Sequence, residues 1–216
     1  MIYINIISFS YSKIMNILKH YTIKGIIFVL ITGTISHFIY EWSGNNSVLG
    51  LFFPINESIW EHMKLCFFPI LLYSFYMNNK LKTEYPCVTS SLLFGVLFGT
   101  LLIPVIYYTY SGILGYHNMV LDIATFIVSV LLAFLVIYRL TLSCSVTAYQ
   151  EQLKLLVIFF AVCFFVFTFY PPNIGIFIDM SILLPTKKKR RRYIQQHLRT
   201  FYLVARGGFE PSTPRV

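Results

Sequence analysis

The sequence predicts an all-α integral membrane protein, a bundle of about five transmembrane helices, on three observations. Of its 216 residues, 57% are hydrophobic and 18% aromatic, and the mean hydropathy is +0.71, too apolar for a water-soluble globule of this size. The apolar residues gather in windows near the ~20 residues that a helix needs to cross hydrocarbon. The formal charge of +9 is concentrated at one end: residues 187–216 hold Lys187, Lys188, Lys189, Arg190, Arg191, Arg192, Arg199, Arg206 and Arg215 against Glu210 alone, a local +8. The body is therefore close to neutral and offers no basic face to nucleic acid. The lipid bilayer is the expected partner, and no nucleic acid is.

Five windows qualify as spans: Gly25 to Trp42, Ile59 to Met77, Val88 to Tyr110, Met119 to Leu140 and Leu153 to Tyr170. The second is the least regular, because its first turns carry charge and Pro69 removes a backbone donor, a break that neighbouring helices can satisfy. Val48 to Ile55, bounded by Gly44-Asn45-Asn46 and Pro54, is too short to cross and suits a re-entrant or interfacial piece. The first long apolar run lacks a small-residue cleavage pattern and is expected to remain as an anchor.

Basic residues in short loops set the expected orientation in a cell membrane. Lys13, Lys19 and Lys24 precede the first span, Lys80 and Lys82 separate the second from the third, and Arg139 and Lys154 flank the last connection. These regions, with the N-terminus, are expected to be cytoplasmic. The loops Ser43 to Ser58 and Ser111 to Asn118 have no Lys or Arg and are expected outside.

Five spans would leave the run Lys187 to Arg192 outside as well, unless Ile174 to Leu184, which contains Asp179, crosses back. A read-through origin resolves the conflict. The ending GGFEPSTPRV resembles the peptide obtained when a reading frame enters a transfer-RNA gene, so residues after about Met180 are expected to be read-through sequence. Met15, ahead of NILKHYTIKG, makes a normal start. The expected organisation is thus a surplus extension over 1–14, a transmembrane domain over 15–180 and a basic, disordered tail over 181–216.

Cys66, Cys87, Cys144 and Cys163 are scattered without a C-x-x-C pair, so free thiols are expected rather than a disulfide framework or thiolate metal site. Gly95 and Gly99 form a G-x-x-x-G that permits close helix packing. Trp42 and Trp60 suit interfacial anchoring, and His20 and His117 suit solvated surface.

The polar residues of the spans gather on one side. Residues four apart share a helix face, which pairs His37 with Glu41 and lays Glu57, Glu61 and Lys64 along one stripe, with His62 on the next. Asp122 begins the fourth span at the same end. Charges near lipid are costly and mark functional sites by default, so an outward-facing pocket is expected from His37, Glu41, Asn56, Glu57, Glu61, His62, Lys64 and Asp122. Lys64 is placed to neutralise Glu41, Glu61 or Asp122. Ser58-Ile59-Trp60-Glu61 matches a capping box, and Asn56 can cap instead. Imidazole and carboxylate also suit zinc or a similar divalent ion, and His37, Glu41, Glu57, Glu61 and His62 supply the donors. No H-E-x-x-H is present, and no aligned nucleophile, so the residues name no reaction and leave enzyme status open.

The blocks HFIYEWSGNN, FFPINESIWEHMKLCFFP, YYTYSGILGYHN and FYPPNIGIFID resemble an uncharacterised bacterial family of small multi-pass membrane proteins, a domain of unknown function with an N-E-S-x-W-E-H-x-K motif. The resemblance covers about Met15 to Asp179 and implies a membrane helix bundle with His37, Glu41, Asn56, Glu57, Glu61, His62, Lys64 and Asp122 as motif positions. It supplies no activity. After Asp179 the chain departs from the family pattern. The expected role is binding or processing of a small or lipid-like ligand, with two alternatives: a non-catalytic scaffold whose charges only pair, and a metal-dependent membrane hydrolase.

Overall fold

A computed structural model describes residues 2–179. The chain divides into two units, Met1–Ile178 and Asp179–Val216, and the architecture below is that of the first. The basic run and the proposed read-through segment lie outside the described residues, as do the side chains of the N-terminal extension.

The described residues form helices and turns without strands. Helix α1 covers Ile2–Trp42, α2 Ser47–Gly50, α3 Ile59–Leu81, α4 Val88–Leu114, α5 Met119–Ser143 and α6 Gln150–Phe169, with short 3-10 turns at Thr147–Tyr149 and Gly175–Phe177. Long apolar runs adopt this form because a helix satisfies every internal backbone group without water. Met15–Trp42, Val88–Leu114, Met119–Ser143 and Thr147–Phe169 are long and apolar enough to cross a membrane.

Helix α3 is the exception. It has 23 residues, about 35 Å at the helical rise, but carries Glu61 and Lys64. Its place in the bundle explains why it can. It packs on α1 and α4 and also touches α5 and α6, and it buries more side chains than α4, α5 or α6. Its first half, which carries the charges, is covered by protein, whereas Leu72, Phe75 and Tyr76 in its second half are exposed. The outer face of α6 matches lipid, with Leu155, Leu156, Ile158, Phe159 and Val162 exposed. In water so large an apolar face would be an interaction or aggregation surface.

Close helix approaches build the bundle. The buried stripe of α1 runs Leu18, Thr22, Gly25, Val29, Gly33 and Ser36, steps of three and four that keep one face inward. A Cβ on Gly25 would collide with Phe134 and Tyr73; one on Gly33 would lie 2.5 Å from the Phe126 ring and 2.8 Å from the Leu65 carbonyl oxygen. That carbonyl is the one whose helical donor is missing, because residue 69 is proline. On α4, Gly95 receives Ile137, and a Cβ on Gly99 would sit 2.7 Å from that of Ala133. The G-x-x-x-G therefore forms the α4–α5 seam. Gly115 ends α4 at φ 75°, the left-handed position that glycine adopts without cost.

The cysteines correct the sequence reading in part. Cys66 and Cys163 are free, but Cys87 and Cys144 are joined in a disulfide, with Cα atoms 5.2 Å apart. Their separation of 57 residues carried no signal because the α4–α5 hairpin, not local spacing, brings its two ends together. Cys144 also caps α5 at φ 56°, uncommon without glycine. By loop entropy the bridge contributes up to about 4 kcal/mol. Reductant is expected to slow the protein in a denaturing gel and lower its unfolding temperature; identical behaviour of wild type and Cys144→Ser would contradict the bridge.

Candidate functional site

Three polar clusters lie at the end of the bundle where α1 meets α2, α4 meets α5, and α6 finishes. The innermost centres on Lys64, 1% exposed, and Glu61, 2% exposed. The Lys64 ammonium donates to Glu61 Oε2 at 2.7 Å, to the Thr168 hydroxyl at 2.6 Å and to the Gly50 carbonyl at 2.9 Å. These bonds use its three protons. Thr168 passes its own proton to the Phe164 carbonyl at 2.6 Å, and Glu61 Oε2 also accepts the Ile55 amide at 3.1 Å. The cluster thus ties the α2 loop and α6 to α3, and among the expected partners Lys64 chooses Glu61, not Glu41 or Asp122.

The start of α3 follows half of the expected capping box. Ser58 is the N-cap, and its hydroxyl accepts the Glu61 amide at 3.3 Å. The reciprocal bond is absent from the pair, because Asn56 Oδ1 takes the Ser58 amide at 3.0 Å and the Glu61 carboxylate has turned to Lys64 and Ile55. Trp60 departs from the anchoring expectation. It is 8% exposed and packs against Phe164, Phe167 and Phe177. Trp42 is exposed, stacked on Phe38.

The second cluster is His37, Glu57 and His62. Glu57 Oε1 lies 3.6 Å from His37 Nε2, and Oε2 lies 3.4 Å from His62 Nε2. The two rings are 5.4 Å apart between centroids. Unlike Glu61 and Lys64, these side chains keep surface, 30% for His37, 49% for Glu57 and 26% for His62. The His62 Nδ1 stands 2.9 Å from the Ser58 carbonyl. Because a carbonyl only accepts, a proton belongs on Nδ1, and Nε2 faces Glu57. His37 Nδ1 is buried without a hydrogen-bond partner. Glu41 is exposed one turn beyond His37 and within its electrostatic reach.

The third cluster closes the α4–α5 turn. The Tyr110 hydroxyl donates to Asp122 Oδ1, and His117 Nδ1 lies 3.5 Å from Oδ2. Asp122 is therefore engaged within its own hairpin. His117 is only 21% exposed in its side chain and packed against that carboxylate, not a solvated loop residue.

Residues 10–182 match the family of unknown function DUF6512. The chain belongs to DUF6512. No curated protein and no solved structure matches it. Membership agrees with the apolar helix bundle and carries no activity, so the chemistry of this DUF6512 chain rests on its own residues. Thr168, Tyr110 and His117 were missed in the DUF6512 sequence. Thr168 lies 104 residues from Lys64, and a single threonine in an apolar helix gives no local signal. Tyr110 and His117 flank a Gly-containing turn, and that proximity to Asp122 was the available cue.

Proposed function

We propose that this DUF6512 chain is a multi-pass membrane protein that binds a small amphiphilic or lipid-like ligand at the outer face, through His37, Glu57 and His62 with Glu41 beside them. The observation that carries the reading is the contrast between neighbouring clusters. Lys64 is saturated and sealed with Glu61, whereas His37, Glu57 and His62 converge while keeping surface and without hydrogen-bonding one another. Exposed Phe38 and Trp42 lie alongside His37 on α1 and supply an apolar border for a ligand tail. The Lys-free loops favour the outer side.

The protein in nanodiscs, given a panel of short-chain phospholipids and fatty acids, tests this reading. At least one amphiphile is expected to raise the unfolding temperature of wild type and to leave Glu57→Gln and His62→Ala unmoved, with all three equally stable beforehand. A scaffold reading predicts instead that these substitutions unfold the protein. Equal stabilisation of all three proteins, or of none, overturns the binding reading.

A further inference from the structure

We propose that His37, Glu57 and His62 form a binding site for one divalent first-row metal ion of the zinc class. The inference rests on the cluster being an open site, and it names an ion as resident there. The three donor groups lie within 4.8 Å of one another, and the contacts of Glu57 to the two imidazoles measure 3.4 and 3.6 Å. Those distances are too long for good hydrogen bonds. They run to separate carboxylate oxygens, Oε1 to His37 and Oε2 to His62, so the carboxylate spans the two rings; an ion with bonds of about 2.0–2.1 Å would draw one donor atom from each residue, now within 4.8 Å of one another, toward the roughly 3.3–3.4 Å edge of a tetrahedron.

The protonation of the rings agrees with this use. His62 directs Nδ1 at the Ser58 carbonyl, which fixes the tautomer of the neutral ring so that Nε2, turned toward the shared centre, is the nitrogen free to ligate. A backbone carbonyl in that position is the common outer partner of a metal-bound histidine, fixing both tautomer and ring orientation. His37 is held by packing, against Phe38 at 5.1 Å and the His62 ring, with Nε2 toward Glu57. Its Nδ1 has no partner of the kind that the Ser58 carbonyl gives His62, so packing alone sets its orientation. The carboxylate supplies the negative charge that two neutral imidazoles lack.

Lys64 does not oppose a cation here, because its charge is already held by Glu61 and its protons are all engaged. Two histidines and one carboxylate leave a fourth position open, the arrangement of zinc sites that take water or substrate rather than of closed structural ones. The partial exposure of all three ligands gives access to that position.

The test is a Co2+ titration of the purified full chain in nanodiscs after chelator treatment and dialysis, with Zn2+ as competitor. One equivalent of Co2+ is expected to give a visible tetrahedral spectrum that Zn2+ bleaches. Glu57→Gln and His62→Ala are each expected to weaken binding at least 10-fold, while His20→Ala, an exposed histidine toward the other end of α1, changes nothing. Absence of saturable binding overturns the proposal, as does binding that both ligand variants retain. Should Co2+ fail while amphiphile stabilisation still depends on Glu57, the ion is excluded and the amphiphile reading stands. The reverse result keeps the ion and removes the amphiphile.

Discussion

Lys64→Met is expected to destabilise the protein by about 3–5 kcal/mol, the usual effect of removing one member of a buried ion pair. The substitution keeps most of the side-chain volume and removes the ammonium, leaving the Glu61 carboxylate 2% exposed and without its counter-charge. The Gly50 carbonyl and the Thr168 hydroxyl lose their donor in the same step. Replacing both members with apolar residues, Glu61→Leu with Lys64→Met, is expected to cost less than Lys64→Met alone, because no bare charge remains. Thr168→Val, which removes one partner and leaves the ion pair, should cost about 1–3 kcal/mol. Unfolding midpoints in a detergent titration give the ranking. A Lys64→Met midpoint equal to wild type would show that the ammonium is not sealed where the structure has it.

Gly33→Val is expected to be the most damaging glycine substitution, and its effect should reach the His37 cluster. The new Cβ meets the Leu65 carbonyl oxygen at 2.8 Å, a backbone atom that cannot rotate away, with the Phe126 ring on its other side. Overpacking of this kind costs about 1–3 kcal/mol, and here relief comes by moving α1 off α3. His37 stands one turn further along α1 and His62 one turn back along α3, so the same movement separates the two rings now 5.4 Å apart. Cysteines at positions 37 and 62 should cross-link readily in an otherwise native protein and much more slowly with Gly33→Val. Unchanged cross-linking would mean that the two helices do not approach at Gly33. Gly99→Ala should be milder because it adds a single methyl, although the Ala133 Cβ that it meets at 2.7 Å is as fixed as a carbonyl.

The helices themselves were legible because their signals are local. Apolar runs and Ser58 ahead of α3 each act within one turn, and so do the caps at Asn118 and Gly115 that the structure adds. The gathering of polar residues at one end was legible for the same reason, since each starts or finishes a span. What the residues could not disclose was their partners. Stripe spacing put Glu57, Glu61 and Lys64 on one helical face, but Glu57 precedes the helix, and its carboxylate meets His37 and His62 instead. Asp122 found Tyr110 and His117 across a turn, and the Ser58 box opened because the Glu61 carboxylate had a stronger claimant in Lys64. Trp60 was misread because amphipathic rings favour interfaces, a preference that the aromatic shell of Phe164, Phe167 and Phe177 overrides. Except for Lys64, which shares α3 with Glu61, the deciding group lies on another element.

The covalent tie between Cys87 and Cys144 bears on how the chain matures. Joining two thiols releases two electrons and two protons, so an electron acceptor has to reach that flank before the α4–α5 hairpin is locked. The flank also carries Lys80, Lys82 and Arg139, the kind of sequence that insertion machinery ordinarily retains on the reducing side. The bridge and the basic loops thus pull this flank toward opposite sides of a membrane, and labelling of Lys80 and Lys82 in intact cells would show which of them prevails.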